Sequence, residues 1–274
     1  MQAKSLTNPE NHRYRFAEEG YLSGLTLCNP SEAQALYSEF LGAEREIEAR
    51  YTDAEILDPR RTIPEQGWFV LTHQDWRDEA HPFQELVRSV VSSPNLLLPL
   101  QEILGDNILL RNVDFISKEV GKGTSPLGWH TDTHHPYERS QGFLSAWIAL
   151  TDANIENGAM SLIRKSHRHH FQNEPSPDKH LHITAQSLAE LDTFERVPCI
   201  LSAGQFSLHH ARTVHASNAN RSDGRRLGMV LRLFNAECPA DVADTREAMI
   251  ISGYPKTWKR QLRSTVPMRW HKRD

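Results

Sequence analysis

The chain has 274 residues, 38% of them apolar and 8% aromatic, enough for one substantial core and unlike a disordered composition. Its net charge is 31 − 35 = −4, so the broad basic footprint that nucleic acid demands is missing; the locally basic run from Lys256 to Arg273 reads as a solvated end segment. Three widely spaced cysteines, Cys28, Cys199 and Cys238, form no CxxC pair and argue against a disulfide framework or a zinc knuckle. Neither an apolar leader core nor a stretch near the ~18 apolar residues of a membrane span occurs. These features predict a reduced, soluble, cytoplasmic protein, a monomer or homodimer, whose partner is a small molecule rather than nucleic acid or membrane.

In chain order, the first well-signalled element is a helix. Asn29 can cap it, Pro30 suits its first turn, and Ala33, Leu36, Tyr37, Phe40 and Leu41 recur at helical spacing. Glu44, Arg45, Glu46 and Glu48 should face water. Two more helices are expected from about Pro82 to Val91 and from Asn95 to Leu104, the second stopped by Gly105. Beyond Gly105 the texture changes to short apolar or alternating runs: Ile108–Leu110, Val113–Ile116, Phe143–Leu150, Ala159–Ile163, Ile200–Leu201, Gln205–His209, Thr213–Ser217 and Leu227–Phe234. Turn material such as ENG, SAG and NANRSDG separates them. About eight strands with one long polar insertion near residues 166–195 suggest a mainly β, double-sheet jelly roll or barrel. Helices of the first hundred residues would pack on the outside of one sheet. The reading is a single domain over 1–274, with a mostly helical part (1–105), a jelly-roll core (106–236) and a C-terminal extension (237–274).

Eleven of the fifteen histidines fall within residues 130–215. In Trp129-His130-Thr131-Asp132 an imidazole and a carboxylate stand two residues apart, on one face if the segment is extended. One more histidine from a distant strand would complete a two-His, one-carboxylate set. Such a set leaves three positions of an Fe(II) open, as dioxygen chemistry requires. Candidates for the third ligand are His134, His135, His167, His169, His170, His180, His182, His209, His210 and His215. His215 stands out because Thr213, His215 and Ser217 should alternate inward on a strand that ends at a polar turn.

The stretch from Trp129 to Phe234 resembles the phytanoyl-CoA dioxygenase family of 2-oxoglutarate oxygenases. The shared pattern is WH-x-D, the strand AWIALTDA, the turn ENG, the pair Ser166-His167, and G-x-F-x-x-H-H. It closes with H-x-S-x-x-N at His215, Ser217 and Asn220 and an arginine, Arg226, eleven residues past that histidine. FAEEGYL and the helices before LGDNILL also fit. The resemblance implies a double-stranded β-helix (jelly roll, cupin-like), iron on His130, Asp132 and His215, and O2 as oxidant. It also implies 2-oxoglutarate with its distal carboxylate on Arg226, helped by Ser217 and flanked by Trp147. Relatives usually carry Pro-Gly before the Ser-His pair, where this chain has Arg164-Lys165, so an altered turn is expected there. Halogenating relatives lack the metal carboxylate; Asp132 is present, which favours hydroxylation.

For the substrate, His134 and His135 follow the metal motif, and Arg212 and Arg232 offer cations near it. They lean towards a small polar or anionic metabolite, amino-acid-like, a phosphonate or a natural-product intermediate. For Arg232 a structural ion pair is the plainer reading. Two alternatives fit the same fold: a cupin-like lyase or isomerase that uses no 2-oxo acid, and a non-catalytic binding protein.

Overall fold

The computed structural model describes residues 11–50, 62–63, 68–71, 81–120, 126–133, 142–171, 173–175, 181–237 and 248–253. Among them the order is α1 (His12–Glu19), β1 (Tyr21–Thr26), α2 (Pro30–Arg50), β2 (Thr62–Ile63), β3 (Trp68–Leu71), α3 (Gln84–Val91) and α4 (Pro94–Leu104). Then follow β4 (Ile108–Lys118), β5 (Leu127–His130), β6 (Phe143–Ala149), β7 (Met160–Ile163), β8 (Asn173–Pro175), β9 (Leu181–Ile183) and α5 (Ala185–Glu190). The last are β10 (Arg196–Pro198), β11 (Gln205–His210), β12 (His215–Ser217), β13 (Arg226–Asn235) and β14 (Met249–Ser252). No described helix is long and apolar enough to cross a membrane.

Two antiparallel sheets make the jelly roll. The major sheet runs β1-β11-β6-β13-β4-β3-β2, with β14 also paired to β4, and the minor sheet runs β10-β7-β12-β5. Strand β6 shows how both faces are used. Its seven residues are all buried, yet they alternate: Leu144, Ala146 and Ile148 join the core under the helices, while Trp147 and Ala149 join the cluster between the sheets. A strand covered on both faces loses the polar half of the period-two pattern and reads as continuously apolar. The outer core packs Phe40 of α2 and Phe83, just before α3, against Phe115 of β4, with ring centroids 4.5–5.2 Å apart.

Helix α2 begins as expected. The Asn29 side chain accepts from the Glu32 amide (3.0 Å) while the Glu32 carboxylate accepts from the Asn29 amide (2.9 Å), a reciprocal capping box. Glu44 does not face open water as its helical position suggested. It receives both terminal nitrogens of Arg225, at 2.8 and 2.6 Å, and so pins α2 to the start of β13.

Several boundaries differ from the sequence reading. The runs at 108–110 and 113–116 are one strand, β4, and the break between them is a register shift against β13. Leu201 makes only an isolated bridge to Ala153. Thr213 lies before β12, its hydroxyl donating to the Gly20 carbonyl at 2.8 Å, so it does not share the alternation of His215 and Ser217. Strands β1 and β3 from before residue 105, and β14 from after 237, all join the major sheet, so the three stretches read from the sequence interleave in one sheet.

Candidate metal and cosubstrate site

Strand register brings the site together. In the minor sheet His215 of β12 stands directly opposite His130 of β5, their ring centroids 4.1 Å apart. Strand β5 ends at His130, and Asp132 sits in the bend just beyond, its amide donating to the Ala211 carbonyl at 2.8 Å. The oxygens and nitrogens that these three side chains can offer lie within 4.8 Å of one another, and all three residues are buried. His215 Nε2 is 3.7 Å from Asp132 Oδ1.

The far side of each imidazole is already fixed. His130 Nδ1 is 2.8 Å from the Gly128 carbonyl and His215 Nδ1 is 3.0 Å from the Thr213 carbonyl. A carbonyl only accepts, so both Nδ1 atoms carry a proton, and Nε2 is the nitrogen that each ring can turn to a shared metal. Burial, and then the neighbouring His130, hold His215 well below its ordinary range, so the ring is neutral as a ligand must be. Burial opposes ionisation of Asp132, but Arg232, His215 and His209 together outweigh it and keep the carboxyl well below the usual carboxylate range.

Motif residues between the ligands have visible structural tasks. Ser166 Oγ donates to the Ile163 carbonyl and accepts from the Val214 amide, which fixes the segment entering His215. Lys165 adopts a left-handed backbone at φ 64°, the conformation that glycine favours. His182 of β9 rests over Gly128 of β5, where an added Cβ would lie 2.1 Å from its ring.

The major sheet contributes a second polar group. Arg226 of β13 is buried, donates to the Gly158 carbonyl at 2.7 Å, and lies 5.2 Å from the centre of the Trp147 ring. The ENG turn of the sequence pattern has its task here. Asn157 and Asn154 exchange backbone-to-side-chain bonds of 2.8 and 2.9 Å, and Gly158, at φ 82°, presents its carbonyl to the arginine. Trp147 lies over Gly228, where a Cβ would come within 2.1 Å of the indole. Arg226 Nε is buried with no hydrogen-bond partner among the described residues, and burial pushes its pKa down to about 10. A buried cation with an unused donor is suited to a carboxylate arriving from outside the chain. Ser217 is buried two residues past His215 on β12.

Lys118 was missed by sequence reasoning. It ends β4 directly opposite Arg226, so both side chains share one face, and it is buried. Burial, and then Arg226, push it down to about 7. Asn220, of the H-x-S-x-x-N pattern, holds this corner by donating to the Lys118 and Gly224 carbonyls at 2.8 Å each.

Of the residues considered for substrate, His134 and His135 lie outside the described residues. Arg232 makes the structural ion pair: its guanidinium contacts Asp132, donates to Ser145 Oγ at 2.6 Å, and reaches Asp114 at 3.5 Å. Arg212 acts electrostatically on His167 and His210, which pack beside α1 through Ala17 and Phe16. His209, by contrast, points between the sheets to Asp132.

Known proteins resemble the chain in sequence and in fold. A family model described as phytanoyl-CoA dioxygenase (PhyH) matches residues 16–228. A probable alpha-ketoglutarate-dependent hypophosphite dioxygenase of Stutzerimonas stutzeri is 28% identical over 153 residues, 54% of this chain and 53% of that protein. The peroxisomal phytanoyl-CoA dioxygenase of Bos taurus is 23% identical over 239 residues, 81% of this chain and 67% of that protein. The chain therefore spans about half of the first relative and two thirds of the second. Among solved structures, the non-haem alpha-ketoglutarate-dependent carbocyclase SnoK from nogalamycin biosynthesis superposes with a TM-score of 0.63 at 25% identity, covering 86% of this chain and 88% of that one.

Proposed function

Because the chain belongs to the phytanoyl-CoA dioxygenase family of non-haem iron, 2-oxoglutarate-dependent oxygenases, we propose that it hydroxylates a small polar molecule with release of succinate and carbon dioxide. In this reading His130, Asp132 and His215 hold Fe(II), and Arg226 holds the distal carboxylate of 2-oxoglutarate. The observation that carries it is the convergence of two imidazole nitrogens and a carboxylate oxygen within 4.8 Å, in a fold that also buries an arginine whose Nε has no partner among the described residues.

The donor set suits the metal: two imidazoles and one carboxylate without sulfur favour Fe(II) in an open site over a closed structural zinc. When bound, Fe(II) would supply open positions at which O2 oxidises both the 2-oxo acid, which loses carbon dioxide to give succinate, and a substrate C–H bond, each taking up one oxygen atom. The chain's own part is placement. His130 and His215 present Nε2, and Asp132 supplies the one anionic ligand. Arg226 and Trp147 orient the cosubstrate, Arg226 by a charge-assisted pair and Trp147 by its ring face. Met160, Leu162 and Val230, clustered with Trp147 between the sheets, keep water from the reacting centre.

The two relatives are named for hypophosphite and for phytanoyl-CoA, an inorganic anion and an acyl thioester, so family membership leaves substrate size open. A small polar substrate is supported by the polar groups on the metal side of the fold, namely Asn112, Asp114, Arg232 and His182. With Arg232 engaged by two carboxylates, an anionic substrate has lost its main cationic candidate.

Anaerobic addition of Fe(II) and 2-oxoglutarate should give a weak visible band near ~500 nm. Under air, succinate should then form in step with one member of a metabolite panel that includes hypophosphite and phytanoyl-CoA. Asp132→Ala should abolish both signals. Arg226→Ala should weaken 2-oxoglutarate binding on the order of 10- to 100-fold, the equivalent of a lost charge-assisted bond of about 1.5–3 kcal/mol. No band from the native protein, or unchanged turnover in Asp132→Ala, would refute the reading and favour a metal enzyme that uses no 2-oxo acid.

A further inference from the structure

Three residues in one row across the major sheet converge on a single oxygen. His209 of β11 stands opposite Ser145 of β6, and Ser145 stands opposite Arg232 of β13. All three point between the sheets at Asp132 Oδ2: Ser145 Oγ donates at 2.7 Å, His209 Nε2 lies at 3.0 Å, and Arg232 Nη1 is in ion-pair contact. Arg232 is held in turn by Asp114 of β4, which Asn112 steadies with a 2.8 Å hydrogen bond. The other oxygen, Oδ1, is the one that faces His215.

We propose that His209 is a positioning residue: with Ser145 and Arg232 it holds Oδ2 from three strands, which fixes Asp132 with Oδ1 turned towards His215 and the metal they would share. This rests on the assignment of Asp132 as an iron ligand. An ionised carboxylate only accepts, so donors from β6, β11 and β13 meeting on Oδ2 fix the orientation of the whole group. A carboxylate free to rotate would have to be ordered when a metal binds, which weakens binding. His209 has no second hydrogen-bonding task among the described residues. It is 2% exposed, and its Nδ1 is buried without a partner there. A proton on Nδ1 would be a stranded donor, so the proton sits on Nε2 and the ring donates to Asp132. The ring also lies 4.7 Å from that of His215, which packs the two imidazoles together behind the ligand set.

The test replaces the donor while keeping the ring. His209→Phe retains a flat side chain without the hydrogen bond, and His209→Gln restores an N–H donor. Mn(II) affinity, followed by the loss of its free-ion electron paramagnetic resonance signal, is read alongside the visible spectrum of the Co(II)-loaded protein. His209→Phe is expected to weaken Mn(II) binding by about 10- to 100-fold and to change the Co(II) bands, while His209→Gln recovers most of the loss. If His209→Phe does not fold, Ser145→Ala removes a donor to the same oxygen from the neighbouring strand and should weaken binding in the same way. Mn(II) binding and Co(II) bands unchanged in whichever of the two variants folds would overturn the proposal while leaving the metal site intact. A native protein that binds neither ion would instead sink the metal assignment itself, and the proposal with it.

Discussion

At the scale of single residues, the most consequential pair is Arg226 and Lys118. Two cations opposite each other on neighbouring strands repel, and both are desolvated. The distal carboxylate of 2-oxoglutarate would relieve both costs, and this gives the cosubstrate a pH dependence that arginine alone cannot. Lys118 is pushed down to about 7, so below that pH the free protein already carries the charge. Above it the lysine must regain a proton as the anion binds, and the apparent affinity falls by up to about tenfold per pH unit until the raised pKa of the complex is passed. The neighbouring Cys199 thiol, which burial pushes up, stays neutral over this window. The 2-oxoglutarate dissociation constant, measured from about pH 6.5 to about pH 8.5 on either side of the lysine's shifted value, should therefore rise in the native protein and stay flat in Lys118→Met. Equal slopes in the two would remove Lys118 from the cosubstrate site. His130, Asp132, His215 and Arg226 were legible because each belongs to a local pattern. Lys118 and His209 were not, because their importance exists only in strand register: one faces Arg226, the other Asp132, and neither neighbour is near in sequence.

At the scale of elements, sequence patterns reached as far as their period could repeat. Helix α2 carries enough turns for its apolar stripe and its cap to show, and β6 and β13 are long enough to read as buried strands. Helix α1 was invisible because one of its eight residues, Phe16, is buried, which leaves no stripe to detect; its start is set by Asn11, whose side chain accepts from the Arg13 and Tyr14 amides. Strands β8 and β9 have three residues each, too few for an alternation. The turn at Arg164-Lys165 is the most instructive case. Lys165 is the one non-glycine residue with positive φ among those described. Arg164 beside it reaches Glu195 at 2.9 Å and Glu19 at 2.9 Å, tying the turn to the end of α1, and these contacts hold the backbone where glycine would rest without strain. Lys165→Gly should consequently stabilise the fold by about 1 kcal/mol, the order of the left-handed penalty it removes, as a higher urea midpoint at unchanged slope. A lower midpoint would mean that the lysine side chain contributes more than its backbone costs.

At the scale of the whole molecule, the two sheets divide the candidate site between them. The minor sheet carries His130 and His215, and the major sheet carries Arg226, Trp147 and the row that holds Asp132. A metal alone would engage the minor sheet and Asp132, and 2-oxoglutarate alone would engage the major sheet through Arg226. Together they would form one bridge from sheet to sheet, because the 2-oxo acid chelates the metal at one end and meets the arginine at the other. Each ligand at about 100 times its dissociation constant stabilises the native state by about 2.7 kcal/mol, with each kcal/mol worth about 2–4 °C in a chain of this size. Because a bound metal would raise the affinity for the chelating acid, the coupling would add to these separate terms. Under anaerobic conditions and at fixed subsaturating 2-oxoglutarate, Mn(II) and 2-oxoglutarate together should therefore raise Tm by more than the sum of their individual shifts, as read by differential scanning fluorimetry. In Arg226→Ala the excess should vanish while the shift from Mn(II) alone remains. Strictly additive shifts in the native protein would mean that the two ligands do not meet, and that the sheets are not joined through them.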